Sequence, residues 1–283
     1  MAEAVDYVGI AQQEIKIPRS IRTIRFLTKL LSMVSPNLAA KFLMPIFSKP
    51  GRFKNSYRIE GAGSSFIRFN GKKIHLLTKG QGEKVLVVHG WGASIYQMRH
   101  IINTLAENGF QAISFDGPAH GLSEGRYTDG REIAELILKL CKEMDICNVI
   151  SHSFGGFATI VAISRGLKLK KFIAISLPVN DDPLFGIFFR TFQVPPKTQQ
   201  ELRKRFEQRI GVKIEEYLPI NMEITLPPTT IIHDRDDPIT KFEHMMQFAR
   251  KHTECNVVET KGLGHRRILK DLHVLRQIPG VLL

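Results

Sequence analysis

The sequence has few cysteines and lacks long apolar runs. Cys141, Cys147 and Cys255 are its only cysteines, and they form no Cys-x-x-Cys pair. Neither a disulfide framework nor a zinc site is therefore indicated, and a reducing compartment is expected. No uninterrupted apolar run approaches the roughly 18 residues of a membrane-spanning helix, and the first residues lack the basic start and apolar centre of a secretory signal. We expect a cytoplasmic protein, either free or in peripheral contact with a membrane.

Acidic residues are too few to balance the basic ones. The 283 residues contain 40 lysines and arginines against 27 aspartates and glutamates, and the net charge is +13. Residues 1–60 hold ten of these basic residues and four of the acidic ones. Nucleic-acid binding is not expected, because no recognised binding motif and no basic stretch with interleaved aromatics accompanies the charge.

An amphipathic helix is predicted near the amino terminus. Between residues 17 and 34, apolar side chains recur at helical spacing with basic side chains between them. This helix belongs to a basic, largely helical extension over residues 1–60. It either packs its apolar face on the rest of the protein or lies on an anionic membrane. The apolar positions are Ile21, Ile24, Leu27, Leu30, Leu31 and Val34, and the basic ones are Arg19, Arg22, Arg25 and Lys29.

From residue 61 the pattern predicts an α/β protein. A hairpin at Asn70 and Gly71 is followed by short apolar strands that alternate with helices. This alternation predicts a mostly parallel twisted sheet with helices on both faces, built from residues 61–176 and 227–283. Prolines interrupt the alternation over residues 177–226, which we interpret as an inserted lid with one helix at 198–210. Strands are predicted at 65–69, 73–78, 85–89, 111–115, 147–150, 171–176, 229–233 and 256–260, and the other helices at 94–108, 129–143, after 153, at 241–252 and after 265.

A serine between small residues follows the fifth predicted strand. In residues 149–157, Ser153 has Ser151 two positions before it and Gly155 and Gly156 shortly after it. A reactive serine on the sharp turn between a strand and a helix requires such small neighbours. Ser153 is favoured over Ser151 as the nucleophile, because no glycine follows Ser151 at the same distances. Small residues also occur in ordinary Rossmann-like turns, which leaves a non-catalytic turn as the alternative.

The serine segment resembles the nucleophile elbow of the alpha/beta-hydrolase superfamily, with Ser151 in place of the usual first glycine. Four further segments resemble the same superfamily in the same chain order, between about residue 73 and the carboxyl terminus. The resemblance implies the alpha/beta-hydrolase fold with an inserted helical lid. It also implies serine esterase, lipase or thioesterase chemistry, as in bacterial members with a basic amino-terminal extension.

The resemblance also suggests which residues assist Ser153. A serine hydroxyl needs a base to take its proton, and a carboxylate orients that base. In this superfamily the acid and then the histidine follow the serine. The acidic turn after the strand at 229–233 matches the family's acid loop and selects Asp237, with Asp236 as the alternative. Asp234 occupies a position where the family has glycine.

The base is expected after the last predicted strand. His265 follows Gly264 there, as in the Gly-His step with which the family opens its final helix. His273, further along the terminal helix, is the weaker candidate. Acyl transfer also needs donors for the developing oxyanion, and the resemblance implies the backbone amides of Trp91 and Phe154. The Trp91 ring either forms a wall of the acyl pocket or supports its loop.

A further loop, residues 115–125, resembles the family's Asp-x-Pro-Gly-His-Gly-x-Ser segment, with Ala119 in place of a glycine. We expect a structural turn in which Asp116 and His120 shape the floor of the site. His89 and His152 are likewise expected to support the site without taking part in the chemistry.

The expected function is hydrolysis of a small-molecule carboxylic ester or thioester through an acyl-enzyme on Ser153, with no metal or organic cofactor. An acyltransferase with the same three residues, or a non-catalytic protein that binds a ligand or a membrane, remains open. An aspartate nucleophile would indicate dehalogenase or epoxide hydrolase chemistry, and Ser153 argues against both. The apolar residues of the lid either contact an apolar substrate group or pack on the body; they are Phe185, Ile187, Phe188, Phe189 and Phe192.

Overall fold

The computed structural model describes residues 17–51 and 58–283. The parts of the predicted amino-terminal extension at 1–16 and 52–57 lie outside the described residues. The described part contains one eight-stranded sheet with the order β1-β2-β4-β3-β5-β6-β7-β8. The strands are β1 (Gly63–Phe69), β2 (Lys72–Lys79), β3 (Glu83–Val88), β4 (Phe110–Phe115), β5 (Asn148–His152), β6 (Lys171–Ile175), β7 (Thr229–Asp234) and β8 (Cys255–Thr260).

The strands from β4 to β8 in this order pair in parallel, and β1 and β2 add an antiparallel edge. Every residue of β5 and of β7 is buried, as expected for parallel strands covered on both faces. The predicted fold class is therefore confirmed. The helices are α1 (Arg19–Val34), α2 (Pro36–Phe47), α3 (Arg99–Glu107), α4 (Gly130–Met144), α5 (Phe154–Ser164), α6 (Ile187–Phe192), α7 (Pro196–Ile210), α8 (Ile214–Tyr217), α9 (Phe242–Lys251), α10 (Gly264–Arg267) and α11 (Leu272–Leu282).

Two apolar layers cover the sheet. One layer packs α4, α5 and α9 on the sheet together with α2, α7 and the aromatic side chains of α6. The other layer packs α3 and α11 on the opposite face. The carboxyl ends of the parallel strands lie at the edge between these layers, where open sheets of this kind place their binding sites.

The hairpin between β1 and β2 forms at the predicted residues. Asn70 and Gly71 have φ values of 47° and 75°, which suit a tight two-residue turn between antiparallel strands. Phe69 pairs with Lys72 across this turn. The turn therefore sets the register of the antiparallel edge.

Two predicted helices are interrupted in the structure. The helix predicted at 94–108 begins with a 3₁₀ turn at Ile95–Met98 before α3. The terminal helix predicted after His265 is divided into α10, a 3₁₀ turn at Ile268–Lys270 and α11. The division follows from Asp271, whose side chain accepts hydrogen bonds from the first amides of α11 and so begins a new helix.

The amino-terminal helices pack on the segment that we predicted as a lid. Helix α1 matches the predicted amphipathic helix and ends at Ser35, whose side chain caps α2. Helix α1 contacts α2 and α6, and α2 contacts α7. Arg25 also donates to the carbonyl of Thr191. Ile21 is buried in this contact, but Leu30 and Val34, two residues of the predicted apolar face, are exposed.

The segment between β6 and β7, residues 177–226, is called the insert below. We predicted one helix in it, and α7 matches that helix but begins at Pro196. The insert also contains a π-helical turn at Asp182–Gly186, α6, α8 and a 3₁₀ turn at Pro219–Asn221. Helices α1 and α2 and the insert are together called the cover. Across residues 17–51 and 58–283, no helix has both the length and the apolar character needed to cross a bilayer.

Candidate active site

Ser153 lies alone between the end of β5 and the start of α5. Its φ of 51° and ψ of −124° lie in a region that non-glycine residues rarely adopt. The turn also brings the backbone of the next residues very close to β3. A Cβ atom on Gly155 would lie 2.6 Å from the carbonyl oxygen of His89 and 2.8 Å from that of Val88. The tight turn therefore requires the glycine, and it leaves Ser153 half-buried while Ser151 is fully buried inside the strand.

Three predicted side chains meet at this edge of the sheet. The His265 Nδ1 atom lies 2.7 Å from Asp237 Oδ2, and His265 Nε2 lies 2.9 Å from Ser153 Oγ. Because a carboxylate oxygen can only accept, Nδ1 carries the proton in this pair, and Nε2 is then the acceptor for the Ser153 hydroxyl. The arrangement can remove the hydroxyl proton when Ser153 reacts.

The Asp237 carboxylate has a hydrogen-bond partner on every side. Oδ1 accepts from the amides of Ile239 and Thr240, at 2.8 and 3.0 Å. Oδ2 accepts from the Thr240 hydroxyl at 2.7 Å as well as from His265. Burial alone would raise the pKa of this carboxyl, but the hydrogen bond and charge of His265 and the bonds from Thr240 hold the pKa well below its usual value. Asp237 is therefore ionised at neutral pH.

The alternative acid, Asp236, and the alternative base, His273, do not take part in this hydrogen-bonded series. The Asp236 carboxylate accepts from the Gly262 amide instead of contacting His265. His273 is exposed on α11. Asp234, where the family has glycine, accepts from the Asp236 amide, from the Thr260 hydroxyl and from the Leu263 amide. Asp234 thereby joins the loop that carries Asp237 to the loop that carries His265.

The two expected oxyanion amides lie on turns that approach each other. A Cβ atom on Gly90 would lie 3.1 Å from Ser153 Cβ, so the turn after β3 passes directly beside the serine. Among the described residues, the amides of Trp91 and Phe154 donate to no protein acceptor. Both amides are therefore free to donate to a substrate oxygen. The Trp91 ring contacts the Phe154 ring edge-on, with ring centroids 4.9 Å apart.

Buried histidines brace the turns around the serine. His89 Nε2 accepts from the Gly117 amide at 3.0 Å, and His120 Nε2 accepts from the Gly92 amide at 3.1 Å. These two bonds join the turn after β3 to the turn after β4. Burial lowers the pKa of His89, which keeps it neutral and able to accept.

The same loop is held to the sheet by Asp116. The Asp116 carboxylate accepts from the amides of Ile95 and Leu122 and lies 2.9 Å from His75 Nδ1. Burial alone would raise the pKa of Asp116, but the bond to His75 and the two amides lower it. All of these hydrogen bonds hold the loop and its neighbours, and none of them joins Asp116 to Ser153.

Sequence reasoning missed two contacts of His265. The Thr240 hydroxyl bonds Asp237 and lies 3.5 Å from His265 Nδ1. His152 Nε2 donates to the His265 carbonyl at 2.8 Å, and burial and the neighbouring His265 lower the pKa of His152 to about 3. Thr240 could have been found from the sequence, because an aspartate side chain in a turn commonly accepts from backbone amides a few residues on, and Thr240 lies three residues after Asp237. The His152 contact joins residues 113 positions apart and has no local signal.

A cavity of about 410 Å³ lies over Ser153 and His265. This volume is within the roughly 300 to 1,000 Å³ of small-molecule sites. Ile187 and Phe188 of the insert line the cavity, whereas Phe185, Phe189 and Phe192 are buried in the core. Within the part of the chain that the structure describes, no group of three metal-binding side chains could hold an ion. The aromatic lining comprises Phe47, Trp91, Phe154, Phe157, Phe188, Phe206 and Tyr217.

Comparison with known proteins supports the fold. The family model described as alpha/beta hydrolase fold matches residues 84–195. A soluble epoxide hydrolase of Corynebacterium sp. (strain C12) is 36% identical over 91 residues, which are 31% of this chain and 32% of that protein. The matching part of the chain spans only about a third of the length of such curated relatives.

Solved structures match over more of the chain. The esterase Pf2001 of Pyrococcus furiosus has a TM-score of 0.63 at 21% identity and covers 83% of this chain and 95% of its own. The epoxide hydrolase VrEH1 of Vigna radiata has a TM-score of 0.59 at 16% identity, and the match covers 80% of this chain and 99% of that protein. At these identities the likeness establishes the fold. The alpha/beta-hydrolase fold that the motifs indicated is thus confirmed.

Proposed function

We propose that this chain, which has the alpha/beta-hydrolase fold, hydrolyses a carboxylic ester or thioester through an acyl-enzyme on Ser153. The observation that carries the proposal is the hydrogen-bonded series from Ser153 Oγ through His265 to Asp237. Its order matches the requirements of a serine nucleophile, a neutral base and a carboxylate that orients the base.

The reaction begins with attack of Ser153 Oγ on the substrate carbonyl carbon, as the hydroxyl proton moves to His265 Nε2. The imidazolium is stabilised by the ionised Asp237. Collapse of the tetrahedral intermediate breaks the bond to the leaving oxygen or sulfur, which takes the proton from Nε2. A water molecule then attacks the acyl-enzyme, passes its proton to Nε2 and releases the carboxylic acid, while Ser153 regains its proton.

The amides of Trp91 and Phe154 would bind the oxyanion in both halves of the reaction. Each is without an acceptor in the described protein, and each lies on a turn that flanks Ser153. Loss of one such donor costs about 3 to 4 kcal/mol of transition-state stabilisation in a measured protease. The backbone position of these donors makes the proposal independent of the side chains of Trp91 and Phe154.

The identity of the nucleophile separates this proposal from epoxide hydrolysis. Two of the similar proteins are named as epoxide hydrolases, a chemistry that in this fold uses an aspartate nucleophile. Here the corresponding turn carries Ser153, and the carboxylates in the neighbouring loops accept hydrogen bonds from His265, Gly262 and Thr260. A serine ester intermediate therefore fits this site better than an aspartyl ester.

The test is covalent labelling with a fluorophosphonate together with hydrolysis of p-nitrophenyl esters. The wild-type protein should be labelled and active, and Ser153→Ala should lose both properties. Ser151→Ala is the matched control and should retain both. Labelling that persists in Ser153→Ala, or a wild-type protein that neither reacts nor hydrolyses any ester of the series, would contradict the proposal. Products in which an added alcohol has replaced water would indicate acyl transfer instead.

A second proposal concerns an exposed apolar corner on α1 and α2, formed by Phe26, Leu30, Met33, Val34 and Leu38. Phe26, Met33 and Val34 are each more than two-thirds exposed, whereas large apolar side chains on a surface are usually scattered singly. The basic residues Arg19, Arg22, Lys29 and Lys41 of the same two helices are also exposed, and Arg22 and Lys29 lie one helical turn before Phe26 and Met33, respectively. We propose that the corner contacts an anionic bilayer, because exposed apolar side chains with cations beside them suit such a surface.

Co-sedimentation with vesicles tests this contact. The protein should bind vesicles that contain phosphatidylglycerol, and added salt should weaken binding. A Phe26→Ser/Met33→Ser variant should bind less, while Leu272→Ser, which changes an equally exposed leucine on α11, should bind normally. Equal binding to purely zwitterionic vesicles, or no binding to either kind, would contradict the proposal.

A further inference from the structure

The two ends of the cavity differ in chemical character. The aromatic end is lined by side chains of α2, α5 and the insert, including Phe47, Phe157 and Phe206, which belong to the apolar layer on one face of the sheet. The other end is lined by residues of α3 and of the segment that follows His265, and both of these elements pack in the layer on the opposite face. The basic residues that line the cavity are Lys49, Arg99, His100, Arg266, Arg267 and Lys270.

Carboxylates are scarce among the residues that line the cavity. Asp129 is the one carboxylate among the described residues that line the cavity, and it is bound by Arg209 and by the first turn of α4. In the described part of the chain, Arg99 and Lys270 form no ion pair with a carboxylate. Both cations lie near His100: burial lowers the pKa of His100 most, and the charges of Arg99 and Lys270 lower it further. Arg99 and Lys270 therefore place positive charge at this end of the cavity without a paired carboxylate.

Arg99 is held in position before any ligand binds. Its guanidinium lies over the Tyr96 ring, 4.3 Å from the centroid, and Nη1 donates to the Tyr96 carbonyl. A guanidinium has five N–H donors in a fixed plane, so most of them stay available. Such a group binds phosphate oxygens through paired charge-assisted hydrogen bonds.

The position of His265 assigns the basic end to one half of the substrate. Under the proposed function, His265 Nε2 gives its proton to the leaving oxygen or sulfur, so the leaving group must lie on the His265 side of Ser153. Arg266, Arg267 and Lys270 follow His265 directly in α10 and the next turn, and this turn packs on α3, which begins with Arg99. The acyl group then occupies the aromatic end.

From this juxtaposition we infer that the substrate joins an apolar acyl group to a leaving alcohol or thiol that carries a phosphate. The inference rests on the proposed function and specifies its substrate class. The aromatic end takes the acyl chain, and the phosphate lies against Arg99 and Lys270. A phosphorylated thiol and a phosphorylated alcohol share this chemistry, and the test separates them.

The experiment compares substrates that differ only in one phosphate. The thioester pair is hexanoyl-4′-phosphopantetheine and hexanoyl-pantetheine, and the oxygen-ester pair is 1-hexanoylglycerol 3-phosphate and 1-hexanoylglycerol. One of the two pairs has the leaving atom, sulfur or oxygen, of the true substrate. Within that pair, kcat/KM should be at least about tenfold higher for the phosphorylated member, as expected for two charge-assisted contacts. The preferred pair identifies the source of the phosphate.

Variants then test the named residues. In Arg99→Gln/Lys270→Gln the preference for the phosphorylated substrate should fall by about tenfold, mainly through KM. The control Lys168→Gln/Lys170→Gln makes the same change in net charge. Both lysines are exposed and lie just before β6, at the amino ends of the parallel strands and so away from Ser153. This variant should keep the preference.

Two failures are distinguishable. If wild-type protein hydrolyses both members of each pair with equal kcat/KM, or if both double variants behave alike, the inference about the phosphate is wrong while the serine mechanism stands. If Ser153→Ala hydrolyses these substrates as fast as the wild type, the proposed function itself fails.

Discussion

The loops that hold Ser153, Asp237 and His265 are built differently from the cover above them. In the loops, the contacts are directional: the carboxylates of Asp237 and Asp234 together accept hydrogen bonds from three side chains and four backbone amides. In the cover, aromatic rings pack on each other. Phe47 stacks on Phe185 with centroids 4.8 Å apart and meets Phe206 edge-on at 5.5 Å.

This difference assigns separate tasks to the two regions. Hydrogen bonds fix atoms within a narrow range of distance and angle, which catalysis requires of its reacting groups. Apolar contacts are not directional and tolerate exchange among side chains of similar volume. We therefore expect substitutions in the loops to change the rate with every substrate, and substitutions in the cover to change which substrates are preferred.

The largest effect is expected for Asp237→Asn. The asparagine keeps the shape of the side chain but favours the wrong histidine tautomer and no longer stabilises the imidazolium, so kcat should fall by about 10,000-fold. Steady-state hydrolysis of a p-nitrophenyl ester measures the change. Asp236→Asn alters the neighbouring carboxylate, which bonds Gly262, and should cost far less. Equal losses in the two variants would mean that Asp237 is not the orienting acid.

Removal of the Thr240 hydroxyl should have the next largest effect. Thr240→Val keeps the volume and deletes one hydrogen bond to the charged Asp237 carboxylate, which is worth about 1.5 to 3 kcal/mol. We expect kcat to fall by roughly 10- to 150-fold, for short and long acyl chains alike. Thr240→Ser restores the hydroxyl and should recover most of the rate. A valine variant with wild-type kcat would show that this bond does not position the acid.

A cover substitution should instead alter selectivity. Phe188 lines the cavity and meets Phe47 edge-on, with centroids 5.1 Å apart. Phe188→Ala enlarges the apolar end, so the ratio of kcat/KM for long over short p-nitrophenyl esters should rise by up to about tenfold. Phe188→Leu should give a smaller shift. A uniform loss of rate with all chain lengths would contradict the division of tasks between cover and loops.

The smallest effect concerns stability against pH. The folded protein holds His152 neutral down to a pKa of about 3, because burial disfavours its charged form, against an ordinary value of 6.5. Between these values the unfolded chain binds a proton that the folded chain does not, so stability falls as pH falls. Burial also lowers the pKa values of His89 and His233, so these two residues likewise make stability fall as pH falls.

His152→Gln can keep a donor to the His265 carbonyl and removes the titrating group. The loss of unfolding free energy between pH 6.5 and pH 5 should therefore be smaller in the variant, by at most about 1.4 kcal/mol per pH unit. Urea unfolding at the two pH values measures this difference. An unchanged difference would mean that His152 is already able to take up a proton in the folded state.

The sequence predicted the sheet and the site loops well, because their signals are local. Apolar runs bounded by turn residues predicted each strand within a few residues. Ser153 and His265 could then be identified because each follows one of these strands in the sequence. The role of Asp234 was not predictable in the same way. Its contacts with Thr260 and Leu263 join loops that are 26 and 29 residues apart.

The cover was predicted less well for a physical reason. Its contacts join α2 to the insert, as in the packing of Phe47 on Phe185 and Phe206, across more than a hundred residues. Short helices such as α6 and α8 form because tertiary packing stabilises them, and isolated helices of that length are unstable. A helical period within the sequence therefore identified α1 and α7 but could not show that they belong to one layer.

The most direct test of the central claim is to trap the acyl group on the protein. The wild-type protein is mixed with a p-nitrophenyl ester, quenched in acid within milliseconds to seconds, digested and analysed by mass spectrometry. The account predicts that the peptide with Ser153 gains the mass of the acyl group, and that Ser153→Ala shows no such gain. Hydrolysis without any acylated peptide, or acylation at a residue other than Ser153, would contradict it.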